Sequence, residues 1–256
     1  MYSSELFVID PLVILTFVVS LFASVLSGIM GAGGGLIIGP YMLLIGLPPT
    51  EAVATPKLAG LGLGAGSIAK FHRGKKIDWR TVVILLPLTI VTSVVGSLLL
   101  VELEPVFIKP IVVAITLIMV IVMFFDKDSG LVSRKTSLKT TIIGGFIYFF
   151  IDTIRAMVGS GVSTINMAVL MKFFGLDAVT ANAVKRVVTF PALLISMAIY
   201  TYKDLIIWDQ GIALLLGTVI GGYIGAGLAI KKGNLFVKRL FLVGVGLMGV
   251  SLLFFN

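Results

Sequence analysis

Long apolar runs recur along the whole chain, and they restrict it to a membrane protein. Hydrophobic residues make up 58% of the 256 residues and charged residues only 12%, a balance that soluble globular domains do not show. A helix that crosses the hydrocarbon core needs about 20 apolar residues. Eight runs approach or exceed that length, and they cover 11–30, 52–70, 80–101, 105–125, 139–158, 178–201, 208–230 and 235–255. The sequence therefore predicts an all-α, polytopic membrane protein.

The basic residues lie mainly in the short connections between these runs. The net charge of +8 would suggest nucleic acid in a soluble protein, but this clustering is typical of cytoplasmic loops under the positive-inside rule. We therefore expect membrane lipid, and not nucleic acid, around the protein. The chain contains no cysteine, which excludes disulfides and thiolate metal sites. We expect no cofactor and no metal.

Two further apolar runs are too short to cross the hydrocarbon core on their own. They cover 36–47 and 162–174, and a rise of 1.5 Å per residue gives them about 18 to 20 Å of helix. Each follows a glycine-rich break. The breaks consist of Gly33, Gly34 and Gly35 in the first case and of Gly159, Ser160 and Gly161 in the second.

The second half of the chain repeats the first at a spacing of 129 residues. The matched residues are Gly46 and Gly175, Lys57 and Arg186, Trp79 and Trp208, and Gly96 and Gly225. The glycine breaks match at a spacing of 126. Equivalent loops differ in charge, since 70–80 carries five basic residues against Asp78, whereas 199–209 carries Lys203 against two aspartates. Opposite charge predicts that the two repeats are inverted in the membrane.

Inversion requires an odd number of crossings in each half, so each short run counts as a crossing. The sequence thus predicts ten crossings in two repeats, 1–138 and 139–256. With the N-terminus outside, the basic loops 70–80, 126–139 and 231–239 all face the cytoplasm. The rival arrangement has eight crossings and two re-entrant segments, and it cannot place all three basic loops inside.

The glycine breaks are candidate anion sites. Non-helical backbone at membrane depth must face protein or a water-filled cavity, and glycine allows close approach to a ligand. A helix that begins after Gly35 presents free N–H groups and the positive end of its dipole. Inversion brings the second break from the opposite face, so two positive helix ends should meet near the midplane, beside the hydroxyls of Ser160 and Ser163. The alternative is that the small residues only permit close helix packing.

Four charged residues within apolar runs are further candidates. Asp152 and Arg155 lie three residues apart on one helix face. Arg155 could bind the anion, and Asp152 could either hold Arg155 or accept the proton that drives transport; a structural salt bridge is the alternative. Lys57 and Arg186 could guard the two approaches to the site, although Lys57 could instead snorkel to the interface.

The residues around the breaks form a longer pattern. The first half contains GAGGG, GPYMLLIGLPPTEAVATPK and a basic loop ending in KIDWR. Its weaker counterparts are VGSGVSTINMAVLMKFFGLDAVTANAVKR and DLIIWD. Over nearly the whole chain this pattern resembles the TauE/SafE sulfite exporter family. The resemblance implies an inner-membrane, multi-pass carrier for small sulfur-containing anions such as sulfite, sulfoacetate or thiosulfate, with the glycine motifs, Lys57 and Arg186 in its site.

The leading hypothesis is a secondary carrier in which one repeat rocks against the other around a fixed anion site. The resemblance implies that it works as an exporter. An anion channel could use the same helix ends. An intramembrane hydrolase is the third class, but the single histidine, His72, lies in a predicted cytoplasmic loop remote from Ser160, and no HExxH motif occurs. We therefore expect a transporter and not an enzyme.

Overall fold

A computed structural model describes residues 10–31, 34–102, 129–158 and 163–254. These residues form nine helices and no strand. The helices are α1 (Pro11–Met30), α2 (Gly34–Leu44), α3 (Pro49–Ala54), α4 (Pro56–Arg73), α5 (Trp79–Glu102), α6 (Leu138–Val158), α7 (Ser163–Phe173), α8 (Ala178–Tyr202) and α9 (Trp208–Phe254). The described part of the chain is therefore all-helical, as the apolar runs predict.

Within the described ranges, five helical stretches are long and apolar enough to cross a membrane. They are Pro11–Met30, Trp79–Leu99, Leu138–Met157, Ala178–Tyr202 and Trp208–Gly244. The last stretch belongs to α9, which is interrupted at Gly233 by a residue with φ 80° and ψ −178°. That break falls between the predicted runs 208–230 and 235–255. The predicted run 105–125 lies outside the described residues, so the total of ten crossings stays a prediction.

Local sequence signals account for several helix ends. α1 begins after Asp10, whose carboxylate accepts a hydrogen bond from the Leu12 N–H at 2.9 Å, with Pro11 in the first helical position. The same helix ends at Gly31, which adopts the left-handed conformation with φ 70°. α8 begins after Asp177, which accepts a hydrogen bond from the Thr180 N–H at 3.0 Å.

Local structure recurs at the spacing of 129 residues. α2 and α7 begin at Gly34 and Ser163, and α5 and α9 begin at Trp79 and Trp208. Positive φ angles recur at equivalent turns, at Gly46 and Gly175 and at Lys75 and Asp204. The two short helices thus align at 129, and not at the 126 that the glycine runs alone suggest. The two spacings differ because the glycine breaks are placed differently relative to the short helices. Gly34 of the first break is already the first residue of α2, whereas all of the second break, 159–161, precedes Ser163, the first residue of α7.

The distribution of polarity is that of a membrane protein. Large apolar side chains are exposed at every fourth position of α9, at Ile212, Leu216, Ile220 and Ile224. Hydroxyl side chains are buried between the helices instead, including Thr16, Ser20 and Ser24 of α1. An apolar exterior around hydroxyl-containing helix contacts is the pattern of transmembrane bundles, in which small and polar residues mediate helix association.

α1 and α9 pack with their backbones in contact. A Cβ added to Gly28 would lie 3.0 Å from the Cα of Gly225, so both positions require glycine for this approach. One and two turns earlier on α9, Gly221 and Gly217 lie against Ser24 and Ser20 of α1. α4 approaches the adjacent face of α9 in the same way through small residues. This packing fixes the first of the described helices against the last.

Candidate functional site

Buried cations bind the carboxyl ends of the two helices that lead into the glycine breaks. Lys57 of α4 donates a hydrogen bond to the Ala156 carbonyl of α6 at 3.1 Å. Arg186 of α8 donates to the Ser27 carbonyl of α1 at 2.7 Å and to its hydroxyl at 3.1 Å. Lys185 donates to the carbonyl of Gly31, the residue that ends α1. These carbonyls lie at the negative pole of a helix dipole, which explains why basic side chains bind there.

The Lys57 and Arg186 contacts are reciprocal. Lys57 and Arg186 lie 129 residues apart, and so do their acceptors, Ser27 and Ala156. The cation of the first half therefore binds the second half, and the equivalent cation of the second half binds the equivalent carbonyl of the first. A two-fold relation between two repeats generates such pairs.

A second pair of contacts shows the same reciprocity. Ser67 donates a hydrogen bond to the Gly222 carbonyl at 3.2 Å. Ser93 and Ser196 share a hydrogen bond of 3.0 Å. Adding 129 converts Ser67 to Ser196 and Ser93 to Gly222, so equivalent positions meet in both contacts, through a backbone carbonyl in the first and through two hydroxyls in the second.

Asp152 is the acceptor at the centre of a buried polar cluster. Its carboxylate accepts hydrogen bonds from Thr92 Oγ1 at 2.5 Å, from Arg155 Nε at 2.5 Å and Nη2 at 3.2 Å, and from Asn166 Nδ2 at 2.6 Å. The side chain is fully buried. Asp152 therefore ties α5, α6 and α7 together and fixes the orientation of Arg155.

This arrangement bears on the two roles considered for Asp152. All four hydrogen bonds are accepted by its carboxylate oxygens, and a proton on either oxygen would displace one of them. Arg155 supplies two of the four donors and lies within the same helix. The geometry favours the role in which Asp152 holds Arg155 over the role of proton carrier.

α7 connects the Asp152 cluster with the end of α1. Asn166 of α7 binds Asp152, and the next residue, Met167, lies against Gly31, where an added Cβ would meet its sulfur atom. On α8, Asn182 donates to the carbonyls of Gly28 and Ile29 at 2.8 and 3.2 Å. The two groups of charged residues thus belong to one polar region in the interior of the bundle.

Basic side chains outnumber carboxylates in this part of the described structure. Lys57, Arg155, Lys185 and Arg186 are all buried, and among the described residues Asp152 is the buried carboxylate, already bound to Arg155. The Nε of Arg186 is buried without a hydrogen-bond acceptor in the described part of the chain. Buried charge is costly unless it is paired. An anion in this region would supply the missing charge and the missing acceptor.

The structure describes only part of the site predicted from the sequence. Gly33 and Gly159–Gly161, including Ser160, lie outside the described residues. Gly34 and Gly35 form the start of α2, and Ser163 forms the start of α7. The meeting of two positive helix ends at the midplane stays a prediction.

Lys57 does not snorkel. Only 5% of its surface is exposed, its ammonium group binds Ala156, and it lies 5.6 Å from the centre of the Tyr200 ring. The lysine therefore points into the bundle, where it faces the carboxyl end of α6. This position agrees with a candidate site residue and excludes the interfacial alternative.

Thr92, Asn182 and Lys185 belong to the polar region although the sequence does not single them out as site residues. The available signal was on α8, where Asn182, Lys185 and Arg186 recur at helical spacing within an otherwise apolar stretch. No comparable signal marks Thr92, because its partner Asp152 lies 60 residues away.

The geometry can be compared with known proteins. The family model described as "Sulfite exporter TauE/SafE" matches residues 16–252. The chain belongs to this family. The resemblance drawn from the glycine and basic motifs is confirmed, and the chain is a member of a family of membrane transporters.

Curated relatives match along almost the whole chain. A "Probable membrane transporter protein" of Haemophilus influenzae is 27% identical over 235 residues, which cover 92% of this chain and 91% of the relative. The "Probable membrane transporter protein YfcA" of Escherichia coli (strain K12) is 22% identical over 256 residues, covering 98% and 93%. The "Probable membrane transporter protein ORF9" of Sinorhizobium sp is 22% identical over 228 residues, covering 89% and 87%. No solved structure matches the chain significantly.

Proposed function

We propose that this family member is a secondary transporter that exports small sulfur-containing anions, such as sulfite, an organosulfonate or thiosulfate, by alternating access. The observation that carries the proposal is the burial of four basic side chains, those of Lys57, Arg155, Lys185 and Arg186, around the single buried carboxylate of the described residues. A membrane protein that buries cations against backbone carbonyls has donors ready for an oxyanion. The printed names of the relatives support the transporter class, and the family description supports sulfite as a substrate.

In this proposal Arg155 is the fixed anion ligand. Asp152 holds the Nε and one Nη of its guanidinium, which leaves the other Nη available to an oxyanion. Lys57, Lys185 and Arg186 approach from the other helices and exchange their carbonyl acceptors for the oxygens of the anion. The starts of α2 and α7, with Gly34, Gly35 and Ser163, add helix N–H groups. Gly33 and the Gly159–Gly161 break would give the backbone its close approach.

We also propose that residues 1–138 and 139–256 are inverted repeats of five crossings each, with the N-terminus outside the inner membrane. The reciprocal contacts of Lys57 and Arg186, and of Ser67 and Ser196, support this arrangement. Equivalent contacts that cross between the halves can open alternately, one towards each face of the membrane. Release of one cation from its carbonyl would then accompany opening on one side.

Transport assays in proteoliposomes test the proposal. Labelled sulfite should cross at a rate that saturates with concentration, and it should exchange with unlabelled sulfite. In a channel, the flux would instead keep growing with the gradient and would not be coupled to exchange. Arg155→Gln should abolish transport while the protein stays folded. Arg80→Gln is the matched control, because Arg80 is exposed at the start of α5. Equal transport by the Arg155→Gln and wild-type proteins would remove Arg155 from the site.

A further inference from the structure

A cleft at the end of α4 combines an apolar wall with a basic rim. It has a volume of about 420 Å³ and is bounded by α4 and by the part of α9 before Gly233. Ile224, Leu228 and Ile230 form the apolar wall, and Lys70, Tyr223 and Lys231 lie around it. None of the described residues that line the cleft is acidic. We propose that this cleft binds one anionic phospholipid, with its phosphate on the rim and an acyl chain on the wall.

Two cations already converge on Tyr223 in the cleft. The Lys70 ammonium lies 4.8 Å from the centre of the Tyr223 ring, and Arg73 Nη1 donates a hydrogen bond to the Tyr223 hydroxyl at 3.2 Å. Both cations belong to the last turn of α4. Neither contact neutralises the positive charge, since an aromatic ring and a phenol hydroxyl are neutral partners. The described residues thus hold both cations in place without an acidic partner, and the rim presents them to an incoming phosphate.

Gly227 gives the cleft its shape. A Cβ at this position would lie 3.0 Å from the Cε of Lys70, so the absence of a side chain lets the lysine stem lie along α9. The ammonium group consequently reaches Tyr223 instead of extending away from the bundle. The lysine is thus held at the cleft by the backbone of the opposite helix.

The chemistry of the wall selects a lipid over a soluble anion. Ile224 is 45% exposed on the apolar outer stripe of α9, so the wall is continuous with the surface that contacts hydrocarbon. The cations lie at the helix ends, where a phospholipid carries its phosphate. Basic pockets between helices at the membrane surface are typical sites for anionic head groups.

Lipid binding to the full-length protein in detergent tests this assignment. We expect native mass spectrometry to show retention of phosphatidylglycerol in preference to phosphatidylcholine. The double variant Lys70→Gln/Lys231→Gln should weaken phosphatidylglycerol binding by about tenfold or more, since each juxtamembrane cation contributes several-fold. Its transport site is unchanged, so the outcome does not depend on the substrate.

A matched variant tests whether the lipid requires the lysines of this cleft or only a basic protein surface. Lys75→Gln/Lys76→Gln removes the same charge from exposed lysines just after α4, where Gly74 lies against Ile230. This control should retain phosphatidylglycerol as the wild type does. If both double variants lose phosphatidylglycerol equally, binding depends only on the net charge of the protein, and the proposal is overturned.

Two further measurements complete the test. Gly227→Leu fills the cleft and keeps every cation, so it should lose the preference for phosphatidylglycerol; wild-type retention in this variant would show that the lipid binds elsewhere. If the double variant Lys70→Gln/Lys231→Gln fails to fold, Gly227→Leu still tests whether the lipid binds in this cleft. Inorganic phosphate should not displace the lipid, and displacement at equal concentration would assign the rim to a soluble anion.

Discussion

Replacement of Asp152 by Asn tests whether the buried cluster is held together by charge. The side chain keeps its size but loses its negative charge, and its new amide NH₂ faces Arg155 and Asn166, which donate to this position. The amide groups would then meet donor to donor unless they rotate. The Arg155 guanidinium would remain buried without its counter-charge.

The expected loss of stability is large. Removal of one partner of a buried ion pair costs about 3 to 5 kcal/mol, because the remaining charge is uncompensated. Arg155→Gln should cost less, since the carboxylate keeps the hydrogen bonds from Thr92 and Asn166. The double variant Asp152→Asn/Arg155→Gln buries no charge at this position and should be more stable than Asp152→Asn alone. We expect a coupling free energy of about 2 kcal/mol between the two sites.

Unfolding in detergent, followed by tryptophan fluorescence over a denaturant series, measures these differences. Asp204→Asn is the control, because Asp204 is exposed in a turn with φ 53°, a conformation that asparagine also adopts. It should change the free energy of unfolding by less than about 0.5 kcal/mol. Under the proposed function the double variant should regain stability but not transport, since it lacks the Arg155 ligand.

The result that would refute this reasoning is additivity. If the loss in the double variant equals the sum of the two single losses, Asp152 and Arg155 do not stabilise each other and Arg155 is held by other groups. A wild-type free energy of unfolding in Asp152→Asn would show that the negative charge of Asp152 does not stabilise the cluster.

Three further predictions concern packing and transport. Gly225→Ala should destabilise the protein by about 1 to 3 kcal/mol because its Cβ meets the backbone of α1, whereas Gly145→Ala, with open space at its Cβ, should gain up to about 1 kcal/mol in the same unfolding assay. Lys57→Gln and Arg186→Gln should each slow sulfite flux in proteoliposomes by about tenfold or more; wild-type flux would remove that cation from the site. Ser196→Ala should cost about 1 to 2 kcal/mol, since it breaks hydrogen bonds to two serines of α5, and an unchanged stability would contradict those contacts.

The positions of the helices could be predicted because lipid leaves the backbone few alternatives. The run 11–30 coincides with α1, and the run 139–158 differs from α6 by one residue. In a bilayer the apolar length alone requires a helix. The short runs 36–47 and 162–174 likewise correspond to α2 and α7.

The effect of the prolines could not be predicted with the same certainty. Both Pro56 and Pro191 lie within apolar runs, yet Pro56 begins a new helix after α3 whereas α8 continues through Pro191. A proline in the first position of a helix needs no hydrogen-bond acceptor for its nitrogen. An interior proline is tolerated where the surrounding helices compensate for the lost hydrogen bond, and a sequence does not show those surroundings.

The sequence predicted which charges are inside the membrane but not most of their partners. Asp152 and Arg155 could be paired in advance because they are three residues apart on one helix. Lys57 binds a backbone carbonyl 99 residues away, and a carbonyl exists at every position, so no residue type marks the acceptor. Thr92 also had no signal, because its partner Asp152 lies 60 residues away in the sequence.

The glycine contact between α1 and α9 limits how the protein can move. Side chains can change rotamer to let helices slide, but Gly28 and Gly225 bring main chain against main chain, where no such adjustment exists. We therefore expect the two helices to move together as one rigid body. Under the proposed transport mechanism, the surfaces that move during transport would lie where longer side chains separate the helices, and α1 and α9 would form the frame against which they move.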